Sequence, residues 1–132
     1  MTANTRGPVL ISIVDDDESI RKGLGRLLRS VGFEVNGFES AEAFLDSADL
    51  QRSSCLILDL RVPGMGGLEL QRRLAAGHSQ IPIIFLTAHS DELARAQALK
   101  AGAIDFVSKP FNEESLIRDV NKAVDQHRSN NH

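Results

Sequence analysis

The chain has 132 residues, 42% of them apolar and 25% charged, the make-up of one ordinary globular domain and not of a disordered segment. Fifteen Lys and Arg against 18 Asp and Glu leave a net charge of −3, which argues against direct, sequence-independent binding to nucleic acid phosphates. The single cysteine, Cys55, excludes an intramolecular disulfide and an all-thiolate zinc site.

Residues 1–8 are polar and turn-rich and read as a flexible N-terminal segment. The run Val9–Val14, interrupted by Ser12, reads as a first strand. It is too short for the ~7–15-residue apolar core of a signal peptide and far short of the ~20 residues that span a bilayer. The chain therefore reads as cytoplasmic, with no membrane contact.

Ile20, Leu24, Leu27, Leu28 and Val31 then recur at helical spacing, and Gly32 supplies a left-handed stop. Phe33–Phe38 is the second strand, and its alternation over Glu34-Val35-Asn36-Gly37-Phe38 suits a sheet edge. Ser40 can cap a short second helix through Phe44-Leu45. Cys55–Leu60 is a third, nearly continuous apolar strand, within which Cys55 reads as a small buried hydrophobe.

A third helix carries Leu68, Leu70 and Leu74 before Gly77, and Ile81–Thr87 forms the fourth strand. Ser90 followed by Asp91-Glu92 starts a fourth, Ala-rich helix that ends at Gly102, and Ile104–Ser108 is the fifth strand. Asn112 followed by Glu113-Glu114 starts the fifth helix, with Leu116, Ile117, Val120, Ala123 and Val124 as its buried stripe. The pattern predicts one α/β domain over residues 9–126 and a frayed tail over 127–132. His78, His127 and His132 are scattered and read as solvated.

Five βα units in strict alternation imply a doubly wound, five-stranded parallel sheet with helices on both faces. The working site of such a sheet lies beyond the carboxyl ends of its strands. At those ends the sequence places Asp15-Asp16-Asp17, Asp59, Thr87 and Lys109. Taken singly, Asp16 or Asp17 can simply cap the first helix and Thr87 or Lys109 can be ordinary rim residues; their joint placement is what points to a site. Carboxylates gathered on one rim repel unless a cation neutralises them or one stays protonated. Carboxylate oxygens, a backbone carbonyl and waters suit magnesium, with manganese as an alternative.

Four stretches carry a family resemblance: Ile13-Val14-Asp15-Asp16-Asp17, Leu58 to Gly67, Phe85-Leu86-Thr87-Ala88 and Val107-Ser108-Lys109-Pro110-Phe111. Together they resemble the receiver domain of bacterial two-component response regulators. Ser40-Ala41-Glu42-Ala43-Phe44-Leu45 and Ala101 to Phe106 look like the FixJ-type branch in particular. The resemblance implies the flavodoxin-like strand order 2-1-3-4-5. It makes Asp59 the phosphoryl acceptor and modified residue, and Asp15, Asp16, Asp59 and the Arg61 carbonyl the metal ligands. Lys109 and Thr87 would meet phosphoryl oxygens, and Thr87 and Phe106 would form a switch. Lys109-Pro110 would be cis.

The implied donor is a sensor histidine kinase or a histidine phosphotransfer protein. Output would pass to an unidentified downstream protein, or into a phosphorylation-dependent dimer, through the fourth helix, fifth strand and fifth helix. The protein would then be a signalling switch, not an enzyme, acting alone or excised from a longer regulator, since nothing after Val124 has the length or basic character of a helix-turn-helix domain.

Two departures from the common pattern stand out: Phe106 has no hydroxyl where many receivers have Tyr, and Gly66 weakens the cap of the third helix. Arg61 and His89, two residues after Asp59 and Thr87, occupy positions that in this family influence access of water to the phosphoryl group. Two other functions share parts of the pattern. A haloacid-dehalogenase-type phosphohydrolase matches Asp15 and Asp17, but this length leaves little room for a cap domain. A flavin binder matches the fold, but the acidic triplet stands where its phosphate cradle belongs.

Overall fold

A computed structural model of the chain describes residues 9–88 and 91–130. The N-terminal segment, His89, Ser90 and the end of the tail, including His132, lie outside the described residues. Five strands run β1 (Leu10–Val14), β2 (Glu34–Phe38), β3 (Cys55–Leu58), β4 (Ile83–Thr87) and β5 (Asp105–Ser108). All neighbours pair in parallel, in the order β2-β1-β3-β4-β5. The sheet is the predicted one.

The helices are α1 (Glu18–Ser30), α2 (Ala41–Leu45), α3 (Asp49–Arg52), α4 (Gly67–Ala76), α5 (Glu92–Lys100) and α6 (Glu113–Asn130). The second connection thus holds two short helices where the sequence pattern gives one. Ser47 ends the first by donating to the Phe44 carbonyl at 2.8 Å and starts the second by accepting from the Asp49 N–H at 3.2 Å. Asp49 is then fastened to the sheet edge, accepting from Asn36 at 2.7 Å. No described helix is long and apolar enough to cross a membrane.

β1, β3 and β4 are buried along their whole length, as expected for parallel strands covered on both faces. One layer holds Ile11, Ile13, Ile57 and Ile84 beneath Leu24 and Leu28 of α1 and Leu116 and Val120 of α6. The other holds Val14, Leu58, Phe85 and Phe106 beneath Phe44 of α2, Leu70 of α4 and Ala98 of α5. Ser12, the polar break in β1, is satisfied by Ser53 at 2.6 Å, so it carries no unpaired group into the interior. Cys55 is buried, and its burial pushes the thiol well above its ordinary range. β2 is the exposed, alternating edge.

Several details differ from the sequence reading. Val31 is 47% exposed and not part of the buried stripe, because the helix stops at Ser30 and Val31 is its C-terminal cap. Asp91 caps α5, accepting from the Ala94 N–H at 3.0 Å. The last helix runs on to Asn130, so residues 127–130 are helical where a frayed tail was expected. His127 is half-buried within it, and desolvation lowers its pKa.

One carboxyl pair between β5 and α6 sets a pH dependence. Asp119 shares a hydrogen bond with Asp105, and burial together with that neighbour pushes its pKa up to about 6, against weaker pulls from Lys122 and Arg118. A carboxyl whose folded pKa exceeds its unfolded value of 3.8 gives stability that is complete below the lower value and lost as pH rises through the upper one. Asp119→Asn is therefore expected to stabilise the domain by about 1 kcal/mol at pH 7.5, after allowance for solvent screening. The gain should vanish by about pH 4. Urea titrations at the two pH values check this, and an equal effect at both would refute the shared proton.

Candidate active site

The carboxyl ends of β1, β3, β4 and β5 define one rim, and the sheet ladder fixes the residues just beyond it. The Asp15 N–H donates to the Phe38 carbonyl at 3.1 Å, Asp59 to Val14 at 2.9 Å and Lys109 to Thr87 at 2.8 Å. Each side chain at the rim is thus held by backbone pairing one residue past its strand. Asp15 and Asp59 are buried, whereas Asp16 is exposed. A carboxylate oxygen from each of the three lies within 4.8 Å of the others.

Opposite them stands Lys109, whose ammonium is 2.9 Å from Asp15 Oδ2 and 3.9 Å from Asp59 Oδ2. The other Asp15 oxygen accepts from the Asp17 N–H at 2.9 Å. Asp17 itself turns away: it caps α1, accepting from the Ser19 and Ile20 amides at 2.8 and 3.4 Å, and those amides hold its pKa below the usual carboxylate range. The acidic triplet therefore divides its labour, with Asp15 and Asp16 facing the site and Asp17 serving the helix.

Asp59 Oδ1 is buried, and among the described residues no donor stands in hydrogen-bonding geometry to it. Burial and the Asp15 charge raise the Asp59 pKa; Lys109, the Arg61 N–H and the Thr87 hydroxyl pull the other way. An orphaned, buried carboxylate oxygen beside two further carboxylates is the arrangement a hard cation satisfies. The donor set fits magnesium.

Thr87, the last residue of β4, is fully buried. Phe106 is 7% exposed and packs on Phe85 with ring centroids 5.7 Å apart. The Lys109–Pro110 peptide is cis. Gly66 caps α4 without a side-chain bond. Gly67 behind it has a function that the sequence pattern does not announce: a Cβ there would lie 2.6 Å from the Asp59 carbonyl and 3.0 Å from Phe85. Only glycine lets α4 begin against the strand that presents Asp59.

Residues 11–121 match the family model of the response regulator receiver domain. The response regulator protein TmoT of Ectopseudomonas mendocina is 48% identical over 115 residues, covering 87% of this chain and 52% of that protein. The response regulator StyR has a solved structure with a TM-score of 0.87 at 44% identity, covering 94% of this chain and 63% of that one.

The chain belongs to the response regulator receiver family, signalling domains of two-component systems. Within it the chain falls in the FixJ-type branch. The transcriptional regulatory protein FixJ of Bradyrhizobium diazoefficiens is 40% identical over 116 residues, covering 88% of this chain and 57% of that protein. The FixJ N-terminal domain structure, at 40% identity, superposes with a TM-score of 0.79, covering 89% of this chain and 94% of that one. The chain spans roughly half the length of these curated relatives. Membership sets aside the phosphohydrolase and flavin-binder alternatives.

Proposed function

We propose that the protein accepts a phosphoryl group on Asp59 from the phosphohistidine of a sensor kinase or histidine phosphotransfer protein. An Asp59 oxygen forms the new bond to phosphorus as the bond from phosphorus to the donor imidazole nitrogen breaks, and the freed imidazole regains a proton. Carboxylate nucleophiles of this kind need in-line placement and charge neutralisation more than covalent assistance. The observation that carries the reading is Asp59 itself, buried beside Asp15 with an oxygen that no described residue partners and with the Lys109 ammonium 3.9 Å from its carboxylate.

Asp15, Asp16, Asp59 and the Arg61 carbonyl would hold magnesium or manganese, which when bound supplies charge neutralisation to the acids and the phosphoryl oxygens. Lys109 meets one phosphoryl oxygen as a point charge. Thr87 donates its hydroxyl to another. Because Thr87 and Phe106 both pack inward beside the rim, a pull on Thr87 reaches the Phe85–Phe106 pair and shifts a two-state balance on the α5-β5-α6 face. That face is the output surface, for an unidentified protein or for a phosphorylation-dependent dimer, and Leu93 of α5 is 71% exposed on the helix that leads it.

The protein is a cytoplasmic signalling switch over residues 9–126, catalysing only its own phosphorylation and dephosphorylation, with no direct contact to nucleic acid or membrane. It works alone or as part of a longer regulator. Intact-mass measurement after mixing with magnesium and acetyl phosphate tests the reading. One phosphoryl group per chain is expected for the natural sequence and none for Asp59→Asn. Multiple turnover of the donor without a stable adduct, unaffected by Asp59→Asn, would contradict it.

A further inference from the structure

The loop from Asp59 to Gly67 turns sharply at Val62-Pro63-Gly64-Met65. Pro63 presets the first corner, and Gly64 takes φ +83° at the second, the sign that a type II turn requires and that glycine adopts without steric penalty. At its base the loop is closed by the Gly67 N–H, which donates to the Leu60 carbonyl at 3.0 Å. Leu60, Val62 and Met65 point into the core layer that also contains Ala41 and Phe44.

The tip is held from elsewhere. The Met65 N–H donates to Glu42 Oε2 at 3.1 Å, across 23 positions of sequence. A Cβ on Gly64 would stand 2.8 Å from that same oxygen, so the missing side chain is what admits the carboxylate. Glu42 rides on a seated element: Ala41 and Phe44 on either side of it are fully buried, and Ser40 caps α2 by accepting from the Ala43 N–H at 3.1 Å.

We propose that Glu42 is a positioning residue for the Asp59 site, its carboxylate clamping the backbone at Gly64 and Met65 and so fixing the loop that carries the Arg61 amide and carbonyl. For its functional consequence this rests on the receiver-site reading above; the clamp itself does not. The Arg61 amide bears on the Asp59 carboxylate, and its carbonyl is the backbone ligand proposed for the cation. Both peptide groups flank one residue, so movement of the loop tip redirects them together. A bond from a backbone N–H to a carboxylate is among the stronger hydrogen bonds available.

The test uses the whole chain as natural sequence, Glu42→Ala, Glu42→Gln, Gly64→Ala and the Glu42→Ala/Gly64→Ala double variant. Hydrogen exchange at the Met65 amide, magnesium titration and thermal unfolding are read on each. Glu42→Ala is expected to speed Met65 exchange roughly tenfold and to weaken magnesium binding about three- to tenfold, with the unfolding temperature shifted by only a few degrees. Glu42→Gln, whose side-chain carbonyl accepts the same N–H, should recover most of both.

Gly64→Ala should weaken magnesium binding more in the natural background than beside Glu42→Ala. The backbone strain is common to both backgrounds, and the contact with the carboxylate is not. Unchanged Met65 exchange in Glu42→Ala, no recovery in Glu42→Gln, or an identical Gly64→Ala effect in the two backgrounds each overturns the clamp. If no form binds magnesium, including the natural one, the site reading fails while Met65 exchange still decides the clamp.

Discussion

Replacing Lys109 with alanine is expected to slow phosphoryl uptake at Asp59 by roughly 10²–10³-fold, the usual loss when one preorganised electrostatic group is removed from a reaction site. The same change should leave magnesium binding intact or make it tighter. The two effects diverge because the ammonium lies 2.9 Å from Asp15 and 3.9 Å from Asp59. On the proposed function it supplies positive charge where phosphoryl oxygens would arrive, yet it shares the Asp15 carboxylate with the proposed cation site. Removing it takes away a like charge from the metal and an opposite charge from the phosphoryl group. Magnesium titration beside the rate of labelling by acetyl phosphate separates them. A parallel loss of both would mean that Lys109 merely supports the local fold.

The second large effect is structural. Phe44→Ala should destabilise the domain by about 3–5 kcal/mol, the range for truncating a buried aromatic. Phe44 is fully buried, meets Phe38 edge-to-face with centroids 5.4 Å apart and lies in the same layer as Val14, Leu58 and Met65. Its helix has only five residues, too few to persist on backbone hydrogen bonding alone. Packing of this ring, the largest side chain that α2 buries, is therefore a main support of α2 beside buried Ala41 and the Ser40 cap. Against a total stability of about 5–15 kcal/mol, the variant should be marginally folded, and urea unfolding followed by circular dichroism measures it. A loss below about 1 kcal/mol would show that α2 is held by something other than this contact.

The sheet was legible because buried parallel strands write themselves as continuous apolar runs, and β2 declared its edge position by alternating over Glu34-Val35-Asn36. The rim was legible for a related reason: a charged residue directly after a buried run, as at Asp59, has no packing task. Asp15, Asp16, Asp59 and Lys109 were readable as a set that the fold brings together, and the roles proposed for them come from family resemblance. Which of Asp16 and Asp17 would cap α1 was undecidable, because both offer a short carboxylate at the right place; the bonds from Asp17 to Ser19 and Ile20 settle it.

What escaped the sequence depends on contacts between distant residues. The split of the second connection into α2 and α3 depends on Ser47 serving both helices and on Asp49 reaching Asn36, and local spacing carries no trace of the latter. The Glu42–Met65 bond and the Asp105–Asp119 pair are likewise tertiary. Nothing in the local sequence pattern sets Gly67 apart. Its necessity appears only when α4 is brought against the Asp59 carbonyl.

The most direct test of the whole account is chemical localisation of the phosphoryl group. After labelling with acetyl phosphate and magnesium, borohydride reduction converts an aspartyl phosphate to homoserine, and peptide mass spectrometry reads the position. Homoserine at residue 59 alone is the expected result. Reduction at Asp15 or Asp16, or a label retained on a histidine with residue 59 unchanged, would contradict the assignment of Asp59 as acceptor.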